Sequence, residues 1–320
     1  MLIPVLKKIN TFLPERVRLA VLPYYRFFLP NLTNIIFLPQ VRCNYRCPYC
    51  IWNRFSPDEI KQAYYPYPDW IHALKRFPPS AVIVTGGEPL LYKDIVPLIE
   101  NFPRKHVISC LVTNLSTGIE KLLSLKKKEF RIMTSYHPEM ASKEELARNV
   151  MRLKKHGFRN VTINYVATPA HLKGIVELKK YFEDATGFYF RVDTYKDPQY
   201  DYSQEEARFI RELKRAGIIA RDRTEGYDFD DTSLKKCKAG RKLFVVTANG
   251  NVYSCMEGYF YLECEPYKQK YNKIDNFYLG NVFKGDFKQC AKDRMCHSPC
   301  AELCDIELAG VKRLPGKEMA

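Results

Sequence analysis

Three cysteines lie close together in the sequence, at Cys43, Cys47 and Cys50, with the spacing C-x3-C-x2-C. This spacing allows one loop to direct three thiolates towards a single point, and three protein ligands leave one coordination position open for a cofactor or substrate. Soft sulfur ligands favour an iron–sulfur cluster or zinc. Zinc sites usually close with a fourth Cys or His at short range, whereas the next cysteine here is Cys110. The alternatives are a zinc knuckle and a chance grouping of cysteines.

A second motif, Gly86-Gly87-Glu88-Pro89, follows the apolar run 81–84. That run has the length and β-branching of a buried strand, and two glycines at its end let the backbone approach a ligand closely. With the cysteine loop, the motif resembles the radical S-adenosylmethionine (radical SAM) superfamily. The cluster loop of that family has the same spacing and carries an aromatic residue before the last cysteine, a place that Tyr49 fills.

The resemblance implies that Cys43, Cys47 and Cys50 ligate a [4Fe–4S] cluster whose open iron holds the amino and carboxylate groups of SAM. Backbone groups around the two glycines would hold the SAM ammonium. The reduced cluster would donate one electron to SAM, giving a 5′-deoxyadenosyl radical that abstracts hydrogen from the substrate. The cofactor-binding residues implied in this way are Tyr49, Gly86, Gly87, Glu88, Pro89, Asn114, Ser135 and Asn164. For each of the last three, a cap at a loop or strand end is an equally good interpretation.

The elements that must position these residues alternate regularly between residues 34 and 220. Strands are predicted at 35–40, 81–85, 106–113, 130–136, 160–166 and 187–193, and helices at 68–77, 93–101, 119–127, 142–156, 172–182 and 203–216. Such alternation indicates a parallel sheet of right-handed βαβ units, with sites at the carboxyl ends of the strands. The fold class is therefore α/β, and the resemblance specifies a partial (βα)6 TIM-like barrel. Cys110 falls inside the third strand and is expected to be a small buried side chain.

A small cysteine-rich domain is predicted over residues 221–320. An Asn-Gly turn at Gly250 predicts a hairpin that brings Cys237 and Cys255 towards each other, and a helix is expected over 296–304. The stretch resembles the SPASM and shorter twitch auxiliary-cluster domains, except that Phe287 stands where the SPASM pattern has a cysteine. We therefore expect one auxiliary [4Fe–4S] cluster, with a zinc ribbon as the alternative. Its expected ligands are Cys237, Cys255 and Cys300, with Cys296 or Cys304 as the fourth, while Cys264 and Cys290 are expected to be free.

Residues 1–33 form a basic, apolar extension that precedes the barrel. No run in it approaches the roughly 20 apolar residues of a membrane-spanning helix. Two interpretations remain, an extension packed on the barrel or an amphipathic segment that makes a peripheral membrane contact through residues 1–34. Eleven cysteines without a visible signal peptide indicate metal binding in a reducing compartment, so a cytoplasmic location is expected, with membrane association open.

The formal net charge of +15 favours an anionic partner, although each lysine run taken alone is better explained by solvated helix ends. We expect a radical SAM enzyme that oxidatively modifies a peptide, a sugar or a lipid-linked small molecule, supplied with electrons by a flavodoxin- or ferredoxin-type protein. Modification of RNA is a weaker alternative because no RNA-binding module is visible. A non-catalytic Fe–S scaffold is a further alternative. No residue stands out as a general acid or base, but Tyr136 and His137 would face the site at the end of strand four.

Overall fold

The computed structural model describes residues 32–55, 64–195, 202–221, 235–264, 277–296 and 312–313. The predicted alternation of strands and helices is confirmed. The strands of this part are β1 Thr33–Gln40, β2 Ser80–Gly86, β3 Val107–Thr113, β4 Arg131–Tyr136, β5 Val161–Ala167, β6 Tyr189–Thr194 and β7 Ile219–Arg221. The intervening helices are α1 Tyr67–Leu74, α2 Ile95–Glu100, α3 Ile119–Leu123, α4 Lys143–Lys155, α5 Ile175–Thr186 and α6 Gln204–Arg215.

The C-terminal part contributes strands and one further helix. Its elements are β8 Lys235–Cys237, β9 Leu243–Val246, β10 Asn251–Tyr253, α7 Met256–Glu263, β11 Tyr278–Asn281, β12 Arg294–Cys296 and β13 Lys312–Arg313. The hairpin predicted around Gly250 is present as β9 and β10, and Gly250 adopts a positive φ of 79°. Cys296, however, ends the strand β12, so the prediction of a helix starting at this residue is wrong. Residues 297–311, with Cys300 and Cys304, lie outside the described part.

One ten-stranded sheet organises the molecule, in the order β11-β10-β9-β1-β2-β3-β4-β5-β6-β7. Strands β1 to β7 are parallel to their neighbours, which gives the open, TIM-like partial barrel. Two features were not predicted. The short strand β7 adds a seventh parallel strand, and β9 pairs in parallel with the other edge of β1. The C-terminal hairpin thus extends the barrel sheet and covers the edge of β1.

Alternating side chains of β1 and β9 supply two separate hydrophobic cores, as expected for strands buried on both faces. Ile35 and Phe37 of β1 enter the main core beneath the helices, together with Phe244 of β9. Ile36 and Leu38 point the other way, into what we call the second core. The second core also contains Val41, Phe55, Cys237, Ala239, Leu243, Val245, Ala248, Tyr253, Cys255, Tyr259, Phe260, Cys264, Phe277 and Cys296.

Several lysines cap the carboxyl ends of the barrel helices. The ammonium of Lys105 donates to the carbonyl of Lys75 after α1, and that of Lys127 donates to the carbonyl of Glu100 at the end of α2. Lys128 caps the residue after α4 in the same way. Cations are stabilising at these negative helix ends. Part of the positive charge thus has a structural role.

Within the described residues, we find no helix that combines the length and the apolar character needed to cross a bilayer. The N-terminal extension, of which residues 1–31 lie outside the described part, is not included in that finding.

Candidate active site

The cysteine loop leaves β1 and closes on itself through its own backbone. The Cys50 amide donates to the Cys47 carbonyl at 3.0 Å, and the Asn53 side-chain amide donates to the same carbonyl at 2.7 Å. Cys47 is buried, and a short 3-10 helix, Ile51–Arg54, follows the loop. These bonds fix Cys47 and Cys50 on one turn at the carboxyl end of β1.

Gly86 and Gly87 are required by the backbone that leads into this loop. A Cβ atom on Gly86 would lie 1.9 Å from the Gln40 carbonyl oxygen, and one on Gly87 would lie 2.2 Å from that of Val41. The Gly87 amide donates to Gln40 O at 3.1 Å, and the Glu88 amide donates to Arg42 O at 2.9 Å. The glycines were expected to allow the close approach of a ligand, and the structure shows that they also accommodate the close approach of the chain itself. The two motifs are therefore held directly against each other.

Glu88 is fully buried and ties this turn to the end of β3. Its Oε1 accepts from the Thr113 hydroxyl at 2.8 Å and from the Leu90 amide at 2.9 Å, while Oε2 accepts from the Asn114 amide at 2.7 Å. Burial raises the pKa of Glu88, and these three donors oppose the rise by favouring the carboxylate. The carboxylate is thus engaged within the protein. Pro89, also buried, begins the 3-10 turn Pro89–Leu91 that follows.

Asn114 lies beside the cysteine loop. Its side-chain nitrogen is 3.6 Å from Cys43 Sγ and 3.0 Å from Asn44 Oδ1. Asn114 also lines a solvent-open depression together with Ser135. The structure therefore brings two of the implied SAM-contacting residues to one concavity next to Cys43.

A polar row crosses the inner face of the sheet. Ser135 of β4 is in register with Asn164 of β5, and Asn164 is in register with Arg191 of β6, so the three side chains share one face. Asn164 Oδ1 is buried and accepts no hydrogen bond. Arg191 donates from Nε to Asp193 Oδ1 at 2.9 Å. Arg191 was not among the predicted site residues, although the period of two in β6 places it on the face of Asp193.

Tyr49 and His137 meet at the same edge of the sheet. The Tyr49 hydroxyl lies 2.6 Å from His137 Nδ1. Burial lowers the pKa of His137 to about 4. His137 lies at the site as expected, whereas the Tyr136 ring packs against Tyr165 and Phe182 in the main core and reaches the site only where Tyr136 lines the depression beside Asn114. The alternation of side chains along β4 accounts for this difference.

The three loop thiols influence one another electrostatically. Burial raises the pKa of Cys43 and of Cys50, and burial together with the neighbouring thiolates raises that of Cys47 to about 12. Three thiolates so close together need a compensating positive centre, and binding such a centre releases their protons. Among the described residues, no three Cys, His, Asp or Glu side chains are placed so that they could hold one metal ion. The expected convergence of the three loop thiols on one point is therefore not observed. A [4Fe–4S] cluster instead takes each thiolate on a separate iron.

The second core contains four cysteines of the described C-terminal part, namely Cys237, Cys255, Cys264 and Cys296. Cys237 Sγ accepts from the Ala239 amide at 3.3 Å, and Cys255 Sγ accepts from the Gly258 amide at 3.2 Å at the start of α7. Cys237 is in register with Arg294, so Cys296, two residues further along β12, is its diagonal neighbour on the same face. Backbone N–H groups directed at sulfur are typical of thiolate ligands of clusters.

Three cysteines and Phe287 are not among the proposed ligands of this site, and each has its own packing environment. Cys290 Sγ would lie 2.7 Å from a Cβ added to Gly240, and Cys264 is fully buried beside Ile51, whose carbonyl lies 3.9 Å from its Sγ. Cys110 is buried inside β3, as expected. The Phe287 ring stacks on Phe77 with 4.6 Å between centroids and packs on the main core. That position therefore serves packing beneath the helices.

Comparison with known proteins identifies one domain. Residues 37–182 match the family model of the radical SAM superfamily. A GTP 3′,8-cyclase of Pasteurella multocida is 34% identical over 77 residues, covering 22% of this chain and 23% of that protein. A probable GTP 3′,8-cyclase of Methanopyrus kandleri is 24% identical over 159 residues, covering 46% of this chain and 52% of that protein. The matches thus span from about a quarter to about half of the length of these relatives.

Solved structures share the fold over most of the chain. Streptococcus suis SuiB bound to S-adenosylmethionine superposes with a TM-score of 0.54 at 17% identity, covering 79% of this chain and 64% of that one. SuiB bound to the precursor peptide SuiA gives 0.55 at 16% identity, covering 80% and 63%. Polyhistidine-tagged anSMEcpe with bound AdoMet gives 0.51 at 15% identity, covering 80% and 77%. At these identities the likeness shows the fold.

The family implies a [4Fe–4S] cluster and SAM, and the residues present fit both groups. Three thiols on one loop supply the donor set of a cluster with an open iron, and the Tyr45 amide donates to Cys43 Sγ at 3.3 Å. The concavity at Asn114 and the unsatisfied buried oxygen of Asn164 offer polar partners to a small, charged cofactor.

Proposed function

We propose that this chain, whose residues 37–182 match the family model of the radical SAM superfamily, is a radical SAM enzyme that oxidatively modifies an anionic substrate. When bound, the cluster and SAM supply a 5′-deoxyadenosyl radical that takes a hydrogen atom from the substrate. In this proposal Cys43, Cys47 and Cys50 hold the cluster. Asn114 and Ser135 contact SAM in the concavity beside Cys43, and Asn164 accepts a hydrogen bond from it through the oxygen that is otherwise unsatisfied.

One observation carries this proposal most directly. The turn at Gly86 and Gly87 is bonded to the backbone that enters the cysteine loop, in a contact that leaves no space for a side chain. A cofactor that bridges the cysteine loop and this turn would therefore meet a preorganised surface. A scaffold that only carried a cluster would need the cysteines but not the adjoining turn.

The proposal is tested by anaerobic reconstitution followed by incubation with SAM and a strong reductant. The wild-type protein should release 5′-deoxyadenosine. The variant with Cys43, Cys47 and Cys50 all replaced by Ala should lose this activity and about four irons per chain. Cys110→Ala, which alters a buried thiol inside β3, serves as the matched control and should retain both. Retained cleavage in the triple variant would refute the assignment.

An auxiliary [4Fe–4S] cluster is proposed in the second core, where it would accept an electron from a substrate radical. Support comes from the buried thiols of Cys237, Cys255 and Cys296 and from the two N–H bonds to sulfur. Reconstituted protein should contain about eight irons per chain. Zinc in anaerobically purified protein would instead indicate a ribbon, and about twelve irons would indicate a further cluster.

The redox role of that cluster has its own test. The Cys237→Ala/Cys255→Ala variant should still cleave SAM without substrate but should not complete an oxidised product. Cys290→Ala is the control, because Cys290 is expected to be free. Normal product formation by the double variant would show that the auxiliary site is structural.

The substrate class has two candidates. A peptide is favoured by the shared fold with SuiB, whose structure bound to the precursor peptide SuiA is similar to this chain. A nucleoside triphosphate is the second candidate, since curated relatives are GTP 3′,8-cyclases and the net charge of +15 suits a polyanion. We would compare 5′-deoxyadenosine formation with GTP and with acidic peptides. Stimulation by GTP alone would exclude the peptide candidate, and a flavodoxin- or ferredoxin-type protein is the proposed electron donor.

A further inference from the structure

His137 and Tyr49 come from loops 88 residues apart and meet above the carboxyl edge of the sheet. Tyr49 lies in the sequence between two of the proposed cluster ligands, Cys47 and Cys50, and His137 is the first residue after β4. The contact of 2.6 Å between the Tyr49 hydroxyl and His137 Nδ1 therefore joins the cluster loop to the barrel. It adds a side-chain contact to the backbone hydrogen bond from Gly87 to Gln40, which joins the end of β2 to the chain that enters the loop.

The direction of this hydrogen bond follows from the protonation of the two rings. A phenol carries its proton near pH 7, so the Tyr49 hydroxyl can donate to the ring nitrogen 2.6 Å away. Burial lowers the pKa of His137 to about 4, so its ring is neutral near pH 7. With Nδ1 as the acceptor, the single proton of the neutral imidazole lies on Nε2.

Two further rings enclose the pair. Tyr45 meets His137 edge to face, with 5.8 Å between centroids and planes at 87°, and Tyr195 meets Tyr49 at 6.2 Å and 76°. Edge-to-face contacts of this kind favour one ring orientation. Tyr195, which follows β6, packs on Tyr49, and Tyr45, which follows β1, packs on His137. These contacts and the hydrogen bond to His137 hold Tyr49 on the barrel side of the cysteine loop.

We propose that His137 is a positioning residue, which accepts the hydrogen bond of the Tyr49 hydroxyl and so fixes the Tyr49 ring as a flat surface against bound SAM. This inference rests on the proposed function, because it takes Tyr49 to contact SAM. His137 acts through Tyr49 and makes no contact with the reacting atoms. A ring held in place before binding loses less conformational freedom when the cofactor arrives, so its effect is on SAM affinity.

The test is a double-mutant cycle on reconstituted, unreduced full-length protein, with the dissociation constant of SAM measured by calorimetry. His137→Phe keeps a ring but removes the acceptor, and Tyr49→Phe keeps a ring but removes the donor. Each should weaken SAM binding about tenfold. The double variant should bind little worse than either single variant, because both remove the same bond. His137→Asn, which places an acceptor oxygen near the position of Nδ1, should restore most of the affinity.

Controls separate this role from others. His156→Phe, at an exposed histidine beyond α4, should bind SAM as the wild type does. With reductant, His137→Phe should show a raised KM for SAM and a nearly unchanged kcat at saturation. Unchanged affinity, or additive losses in the double variant, would overturn the proposal. Loss of iron in His137→Phe would also overturn it, by assigning the pair to cluster retention. A wild-type protein that binds iron but not SAM would instead refute the proposed function itself.

Discussion

At the scale of single residues, a chain of hydrogen bonds links the two sequence motifs through the end of β3. Glu88 accepts from the backbone amide of Asn114, and the Asn114 side chain reaches Cys43 Sγ. A buried carboxylate that accepts three hydrogen bonds is held in one position. We infer that Glu88 acts on the cofactor site indirectly, by setting the position of Asn114 beside the cysteine loop.

The lowered pKa of His137 gives a prediction for stability against pH. In the unfolded chain this ring takes up a proton near pH 6.5, whereas in the folded protein it does so only near pH 4. Its neutral form therefore contributes stability that is present above pH 6.5 and is lost as the pH falls through about 4. The loss is at most about 3 kcal/mol, and less where solvent screens the partly buried ring.

The measurement is denaturant unfolding of the wild type and of His137→Phe across this pH range. The variant cannot take up the proton, so its unfolding free energy should fall less steeply between pH 6.5 and 4. Equal slopes for the two proteins would show that His137 titrates normally in the folded state.

Residue types and local spacing made part of this site predictable. The cysteine loop and the glycine turn could be recognised because their members are close together in the sequence. Asn114 and His137 were expected at the site, but their contacts with Cys43 and Tyr49 were not predictable, since the members of each pair are 71 and 88 residues apart. The fold alone decides that these side chains meet.

At the scale of elements, the site is built where the end of β2 crosses the chain that leaves β1. The glycines allow the two backbones to touch, and the resulting bonds hold the cysteine loop over the sheet. A Cβ atom added to Gly86 or Gly87 would lie 1.9 or 2.2 Å from a backbone oxygen, which is closer than real Cβ atoms approach. The backbone would therefore have to move.

Gly87→Ala tests this contact. The new Cβ would overlap the carbonyls of Val41 and Arg42, at 2.2 and 2.4 Å, and should displace the cysteine loop. We expect reconstituted iron at the barrel site to fall by half or more, measured per chain in a Cys237→Ala/Cys255→Ala background. Gly174→Ala is the matched control, because it has a positive φ of 80° but no atom within 4 Å of the new Cβ. It should lose about 1 kcal/mol of stability and no iron. Equal iron in both variants would contradict the account.

The alternation of strands and helices was predictable because each element has its own hydrophobic period and its own stop signal. The pairing of β9 with β1 was not, since it joins residues such as Asn34 and Leu243 and has no local signature. The four residues of β9 are all buried, which indicates a covered strand but not the partner that covers it. Cys296 ends a strand and does not begin a helix as expected, because cysteine spacing alone cannot distinguish a helix face from a strand end.

For the molecule as a whole, the second core connects the two proposed cluster sites. It contains the buried C-terminal cysteines, and the residues that follow the cysteine loop pack against it. Trp52 and Phe55, just after the cysteine loop, stack at 4.9 Å, and Phe55 packs on Tyr259 at 5.0 Å. Tyr259 belongs to α7, the helix that begins after Cys255. The loop of the first site therefore rests directly on an element of the second, which would fix the distance between the two proposed clusters.

Phe55→Leu tests this coupling. Loss of the ring should cost about 1–2 kcal/mol and should lower iron retention at both sites, since both loops pack on the same core. Phe130→Leu, at a buried ring of the main core, should cost a similar amount but leave the iron content unchanged. Iron analysis after reconstitution, beside unfolding free energies, distinguishes the two. Equal iron retention in both variants would show that the sites are packed independently.

The central claim is that the loop of Cys43, Cys47 and Cys50 holds a cluster whose open iron meets SAM at the glycine turn. Electron paramagnetic resonance of the reduced Cys237→Ala/Cys255→Ala variant tests it most directly, because only the barrel cluster then contributes a signal. We expect a signal from about four irons per chain whose g-values shift when SAM is added. A spectrum that SAM leaves unchanged, in protein with the full iron content, would contradict it.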